Sequence, residues 1–474
     1  MIEGRRMNQA EARRRQAEAL SDILMFVAIY VLGGLTGDNG ITYTAVAVQI
    51  CTLFWIMISG GLSDALGRLL RSRKNKGQYR NIARMRGSAM LFQSILGLAV
   101  SLCLAALSGV VAEKLFRIPY SGLILLAMSP AVLLRTVSAV LAGYFQGEGS
   151  EAPRAIAGIL RQAFLLGFGI LFCHLVGGYG EKVGSLLRQE NFAAMYGGLG
   201  IALAVNLAEL PVILFLGLVY RGSRRSERRA KQEGMYAADS AWDCARYLHS
   251  ARWPHWATDL CVFLPFALGL LFLGGSGEAG GQTAVDYGLY VGKYVVVCGI
   301  VTALVRIAVL PVIARIFQCF KRDENRFART VFQSGVHIGL VHGIFLAVFV
   351  AVMGEQIADL LHPVNAQTAA RMLRQGSALI VLVPLCGYFR RLLHAMGKKY
   401  SVLAAACGAD VVFSIAVLAG MGKAGVLSLV YGGLAAGGVL CGVLGVFAYR
   451  QMRVQPDWLG TFAIPLGAGG VAGL

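Results

Sequence analysis

The sequence predicts an all-α, polytopic membrane protein of twelve or thirteen transmembrane helices. Apolar types make up 57% of its 474 residues and charged types only 15%, where a soluble domain would carry roughly a quarter charged. Segments of about 20 apolar residues, the length that crosses a bilayer as a helix, recur along the whole chain. Glycine supplies 60 residues, which suits membrane helices whose backbones approach closely.

The net charge of +19 is distributed unevenly. Roughly 33 of the 44 Lys and Arg fall in alternate loops and about seven in the loops between them, the positive-inside pattern. This places the N-terminus in the cytoplasm and argues against a nucleic-acid partner. The basic residues are expected to set topology and to touch anionic membrane lipids. The ten cysteines are scattered, mostly within apolar segments, with no CxxC pair and no Cys/His cluster. They predict neither a disulfide framework nor a metal site.

The basic loops fix the order of the helices. Residues 1–20, with Arg5, Arg6, Arg13, Arg14 and Arg15, read as a cytoplasmic tail that leads into an uncleaved first helix, about 21–35. A turn at Gly37 to Gly40 precedes helix 2, about 41–70, which runs into an inner loop rich in Arg and Lys. Helices 3 and 4 are expected at about 87–112 and 121–142, with an inner loop from Gly143 to Arg154. Helices 5 and 6 follow at about 155–178 and 194–220. The longest hydrophilic stretch, 221–252, opens with six basic residues and reads as a cytoplasmic linker. Helices 7 to 12 are expected at about 253–274, 285–313, 329–353, 372–389, 401–420 and 425–449. The stretch 451–474 reads as a partial or short thirteenth helix, and its apolar end suggests a truncated chain.

The two halves resemble each other. Ile82-Ala83-Arg84 and Phe327-Ala328-Arg329 close basic loops at an offset of 245 residues, and Pro130 and Pro384 sit at comparable places. This predicts two six-helix lobes, 21–220 and 253–450, related as parallel repeats, an architecture of transporters.

Several stretches carry a family resemblance. Gly61-Leu62-Ser63-Asp64-Ala65-Leu66-Gly67-Arg68 resembles a family stretch after helix 2. Gly143-Tyr144-Phe145-Gln146-Gly147, then Pro153, Arg161 and Gln162, looks like the corresponding stretch of SpoVB-type polysaccharide transporters, with Ala142 in place of their arginine. Leu392 to Lys398 looks like their connection between helices 10 and 11. The chain thus resembles the multidrug/oligosaccharidyl-lipid/polysaccharide (MOP) exporter superfamily, which includes lipid II flippases of the MurJ type and the MATE drug exporters. The resemblance implies two lobes around a central cavity, with helices 1, 2, 7 and 8 lining it.

An ionisable residue inside a membrane helix costs about 2.5–3.5 kcal/mol on insertion scales, so it usually faces a cavity or a partner. Arg135, five residues after Pro130 in helix 4, reads either as a phosphate ligand or as the partner of Glu209 or Asp410. Lys293 and Arg306 share helix 8. On an ideal helix they are about 140° apart, and Lys293 falls with Asp286, so Lys293 is the better cavity candidate. Arg68 is either the partner of Asp64, at the favoured i, i+4 spacing, or a cation at the inner mouth of the cavity. Asp259, early in helix 7, could balance the cations or cap the helix. Arg161 reads mainly as a residue that snorkels to the headgroups.

No Walker A loop, HExxH motif or Ser/His/Asp set stands out, so an enzyme is not expected. The expectation is a flippase of the bacterial inner membrane that binds a lipid-linked oligosaccharide through Arg68, Arg135, Lys293, Arg306 and Asp259. No cofactor is expected, although Na+ or H+ could be the coupling ion, and a monomer is expected. The alternative is a cation-coupled multidrug exporter of the MATE type, which would favour carboxylates in its site.

Overall fold

The computed structural model describes residues 2–150, 152–189, 191–232, 239–275, 282–361 and 365–455, with short pieces at 464 and 467–468. The expected thirteenth helix therefore lies almost wholly outside the described residues, as does part of the linker. All regular structure among them is helical. In chain order the helices are α1 (Ile2–Ser59), α2 (Leu62–Asn75), α3 (Tyr79–Gly109), α4 (Ser121–Met128), α5 (Pro130–Glu148), α6 (Ala152–Leu187), α7 (Asn191–Gln232) and α8 (Ala241–Gly275). Then follow α9 (Gln282–Leu289), α10 (Val296–Lys321), α11 (Asn325–Val352), α12 (Gly354–Leu361), α13 (Ala366–Gly376), α14 (Leu379–Ala395), α15 (Lys399–Ala424) and α16 (Leu427–Met452). Wider π-helical turns extend α3 over Val110–Leu115 and join α9 to α10 over Tyr290–Val295.

Ten helical stretches are long and apolar enough to cross a membrane, and α13 with α14, bent by 48°, makes an eleventh. The first of the ten, Ala17–Asn75, has 59 residues. At 1.5 Å per residue it would measure about 90 Å, some three times the hydrocarbon thickness, so it must turn back. It is broken at Gly37, where φ is 71° and ψ 171°, and again at Gly61, where φ is 63°. Only glycine adopts such angles at little cost. Divided at Gly37, this stretch brings the count to twelve.

The helices are longer than the apolar runs that announce them. The polar first residues are already helical from Ile2, and α5 continues to Glu148 through the stretch expected to be a loop. The linker is largely helix, because α7 runs to Gln232 and α8 begins at Ala241. Long basic side chains can cover apolar surface while their charges reach water, so a helix need not end where its apolar run ends.

The chain forms two compact units. One holds Val31–Gly274, the other Met1–Tyr30 with Gly275–Leu474. The division differs from the lobes drawn from loop charges because α8 belongs with the helices before it. Its Cys244 and Leu248 are buried in a core with Leu62, Leu66, Met85, Tyr144 and Val212. The second unit's core gathers Val309, Ile316, Phe332, Tyr388, Phe389 and Leu444. Each core carries a Gly-Tyr-Phe sequence, at Gly143 and Gly387, and both tyrosines are buried.

Glycines set the approach of α2 to α5 in the first unit. A Cβ on Gly143 would lie 2.9 Å from the Ser63 Cα, one on Gly147 2.7 Å from the Leu70 Cβ, and one on Gly67 2.9 Å from the Gln146 side chain. Gly143→Ala is expected to cost about 1–3 kcal/mol, because backbone must move. Gly87→Ala, with nothing within 4 Å, is expected to be neutral or to add up to about 1 kcal/mol. Thermal unfolding of the detergent-solubilised protein checks both. A Gly143→Ala variant as stable as the parent would refute the close approach.

Candidate functional site

The glycine-guided contact of α2 with α5 places a polar lock at their ends. Asp64 Oδ1 accepts hydrogen bonds from Gln146 Nε2 at 2.9 Å and Arg154 Nη1 at 2.8 Å. The same arginine donates to Gln146 Oε1 at 2.7 Å, and Arg71 donates to the Gln146 carbonyl at 2.9 Å. Nearby, Lys74 pairs with Glu148 at 2.7 Å and Arg73 with Asp239 at 2.6 Å. The two sequence stretches that carry the resemblance thus meet and hold each other. Arg68 is not the hydrogen-bond partner of Asp64. Exposed on α2, it lies 3.3 Å from His255 Nε2 of α8.

Deeper in the same unit, Glu209 of α7 is fully buried. Arg161 of α6 donates to it twice, from Nε to Oε1 at 2.6 Å and from Nη2 to Oε2 at 3.1 Å. Arg135 of α5 donates from Nε to Oε1 at 3.2 Å. Arg161 Nη2 also donates to the Ser138 hydroxyl at 3.1 Å, and that oxygen lies 3.3 Å from Glu209 Oε2. Of the two partners considered for Arg135, the structure selects Glu209. It also corrects the reading of Arg161, which turns inward to a carboxylate rather than outward to headgroups. A buried carboxylate is tolerable only when paired and hydrogen-bonded, and Glu209 has both.

A cavity of about 20 Å³ adjoins Arg135, walled by Val48, Cys51 and Thr52 of α1, Met128, Ala131 and Val132 of α4 and α5, and Val205 of α7. The Arg135 guanidinium carbon also lies 5.9 Å from the centre of the Trp55 ring.

Arg252 of α8 was not singled out in the sequence, where it reads as the end of the linker. It is 2% exposed. Its guanidinium donates to the carbonyls of Met57 and Ile58, in the last turn of α1, where helical partners run out. The clue was the Gly60-Gly61 pair, which ends a helix within an apolar run and so strands its carbonyls.

Asp259 lies about five turns into α8, half-buried, so it does not cap that helix. Capping was expected only because the linker was read as loop.

In the second unit Lys293 is 5% exposed and sits within the π-helical turn, between the buried Tyr290 and Tyr294. Such turns often mark functional positions. The turn also shifts the angle between Lys293 and Arg306, since an ideal 100° step does not hold across it. Arg306 Nη1 donates to Asp22 Oδ2 of α1 at 2.8 Å, and Phe26, one turn on from Asp22, packs its ring against Gly299. The structure therefore brings Arg135 together with Arg161 and Glu209, Arg68 with His255, and Arg306 with Asp22.

No family model matches the chain. Solved structures do. An inward-facing MATE-family multidrug resistance transporter of the MOP superfamily superposes with a TM-score of 0.69 over 93% of this chain and 98% of its own, at 12% identity. A eukaryotic MATE transporter gives 0.66 over 98% and 99%, at 14% identity.

The chain has the fold of the MATE transporters.

A MOP superfamily transporter from Pyrococcus furiosus, described by the reverse polarity of its binding pocket, shares this MATE fold with a TM-score of 0.61 over 94% of this chain and 96% of its own, at 12% identity. Among curated proteins, Stage V sporulation protein B of Bacillus subtilis (strain 168) is 25% identical over 146 residues. That match spans 31% of this chain and 28% of the relative, so it covers under a third of either protein.

Glu209→Ala is expected to cost about 2–4 kcal/mol by leaving two half-buried guanidiniums without their carboxylate. Asp64→Ala is expected to cost about 1 kcal/mol or less, since its side chain is 49% exposed. Chemical denaturation of the two variants in detergent compares them, and an equal loss would show that Glu209 is not the internal anchor.

Proposed function

We propose that the protein is a flippase for a lipid-linked oligosaccharide, carried by its polyprenyl-diphosphate headgroup across a bacterial inner membrane by alternating access. The observation that carries the proposal is the placement of cations among the helices. Arg135 and Arg161 share one carboxylate, and Arg252 and Lys293 are buried, as are the acids Glu209 and Asp410. Cations bind phosphate strongly through charge-assisted hydrogen bonds. The partial likeness to Stage V sporulation protein B supports the same reading.

Lys293 and Arg306, both in the unit that holds Gly275–Leu474, are the residues assigned to the headgroup. The N-terminus is cytoplasmic in this reading, and an ion gradient or the membrane potential drives the cycle. The second reading, a cation-coupled exporter of drugs, is favoured by the MATE transporters among the structural neighbours. It requires carboxylates facing the substrate, and Glu209 is already engaged by two arginines.

Flipping of a fluorescent polyprenyl-diphosphate sugar in proteoliposomes tests the proposal. Lys293→Gln and Arg306→Gln are each expected to slow it about tenfold or more, the loss of one charge-assisted contact. Unchanged flipping in both variants would refute the site. Absent flipping in the parent, with drug resistance in cells that overexpress the chain, would establish the exporter instead.

A further inference from the structure

Two helical stripes of identical spacing face one another in the unit Val31–Gly274. Val48, Cys51, Thr52 and Trp55 lie at i, i+3, i+4 and i+7 on α1, and Met128, Ala131, Val132 and Arg135 repeat that spacing across the break between α4 and α5. Such spacing puts each set on one helix face. The stripes do not close completely, and the cavity of about 20 Å³ lies between them. That is room for one water-sized particle.

The charge around this cavity is unbalanced. Two guanidiniums and one carboxylate leave a net charge of +1, because the contacts of Arg135 and Arg161 include no second acid. Arg135 binds Glu209 through Nε, and its terminal nitrogens have no hydrogen-bond acceptor among the described residues. The indole N–H of Trp55 is likewise buried without an acceptor, and Thr52 adds a hydroxyl to the wall. Arg135 and Thr52 are thus the donors in an otherwise apolar wall, beside a cluster with one surplus positive charge, in a medium where an uncompensated charge is costly.

We infer that this cavity is a binding site for a small monovalent anion of halide size, held by the terminal nitrogens of Arg135. The anion completes the charge balance of the Glu209 cluster, and the site is independent of whatever substrate the protein moves. Water would fit the volume but would leave the surplus charge in place.

Bromide replacing gluconate at constant ionic strength tests the site in the purified full-length protein, read by tryptophan fluorescence and by Tm. The chain has five tryptophans, and Trp55 is the one beside Arg135. Saturable quenching with a matching rise in Tm is expected, since a ligand that binds only the folded state raises Tm. Trp55→Phe is expected to lose the saturable quenching and keep the rise in Tm. Arg135→Gln is expected to lose both, and so is Ala131→Leu, which fills the cavity and leaves the arginine cluster in place. Strictly linear quenching with a Tm indifferent to the anion, the behaviour of a water-filled cavity, would overturn the inference. So would a saturable response that survives in Ala131→Leu.

Discussion

Inside a bilayer every backbone donor and acceptor must find its partner within the protein, and two breaks in the helices of the unit Val31–Gly274 are built around that constraint. At Gly60 and Gly61 the helix α1 stops within an apolar run, and the guanidinium of Arg252 takes up the carbonyls of Met57 and Ile58. At Pro130, which has no N–H to offer, the Ser129 hydroxyl donates to the Leu126 carbonyl and Asn206 to that of Ala127. These side chains make breaks affordable within apolar surroundings. They also tie α8 to α1, and α7 to the junction of α4 and α5. The unit Val31–Gly274 is thus assembled as much by repairs to its backbone as by apolar packing.

A second constraint is distance. Without water in the bilayer core there is little hydrophobic drive between helices, and close packing and polar contacts take its place. The faces of Gly67, Gly143 and Gly147 let α2 and α5 approach until Asp64, Gln146 and Arg154 interlock. The residues that carry the resemblance to known transporters therefore have a structural task in this unit. In the other unit the same Gly-Tyr-Phe stretch continues with Arg390 where the first has Gln146. The aromatic core is repeated, with an arginine at the position of the lock's glutamine.

Charge placement then separates support from function. Glu209 collects Arg135 and Arg161 into one buried cluster, whereas Arg68 remains exposed on α2 and Arg306 leans on Asp22. A cation already bound to a buried carboxylate contributes its field to a site more readily than a direct contact. Lys293 differs again, since it is buried within a π-helical turn.

The sequence by itself determined the fold class, the succession of helices and the break at Gly37, because apolar length, loop charge and glycine are local signals that a bilayer makes decisive. It also marked Arg135, Lys293 and Arg306 as charges that needed an explanation. Only the tertiary structure decided their partners. An arginine's choice between Glu209 and Asp410 depends on which helices pack side by side, and the role of Arg252 depends on where a distant helix ends. The angle between Lys293 and Arg306 is another matter for the structure, since a π-helical turn has no fixed sequence signature and shifts the angles counted across it.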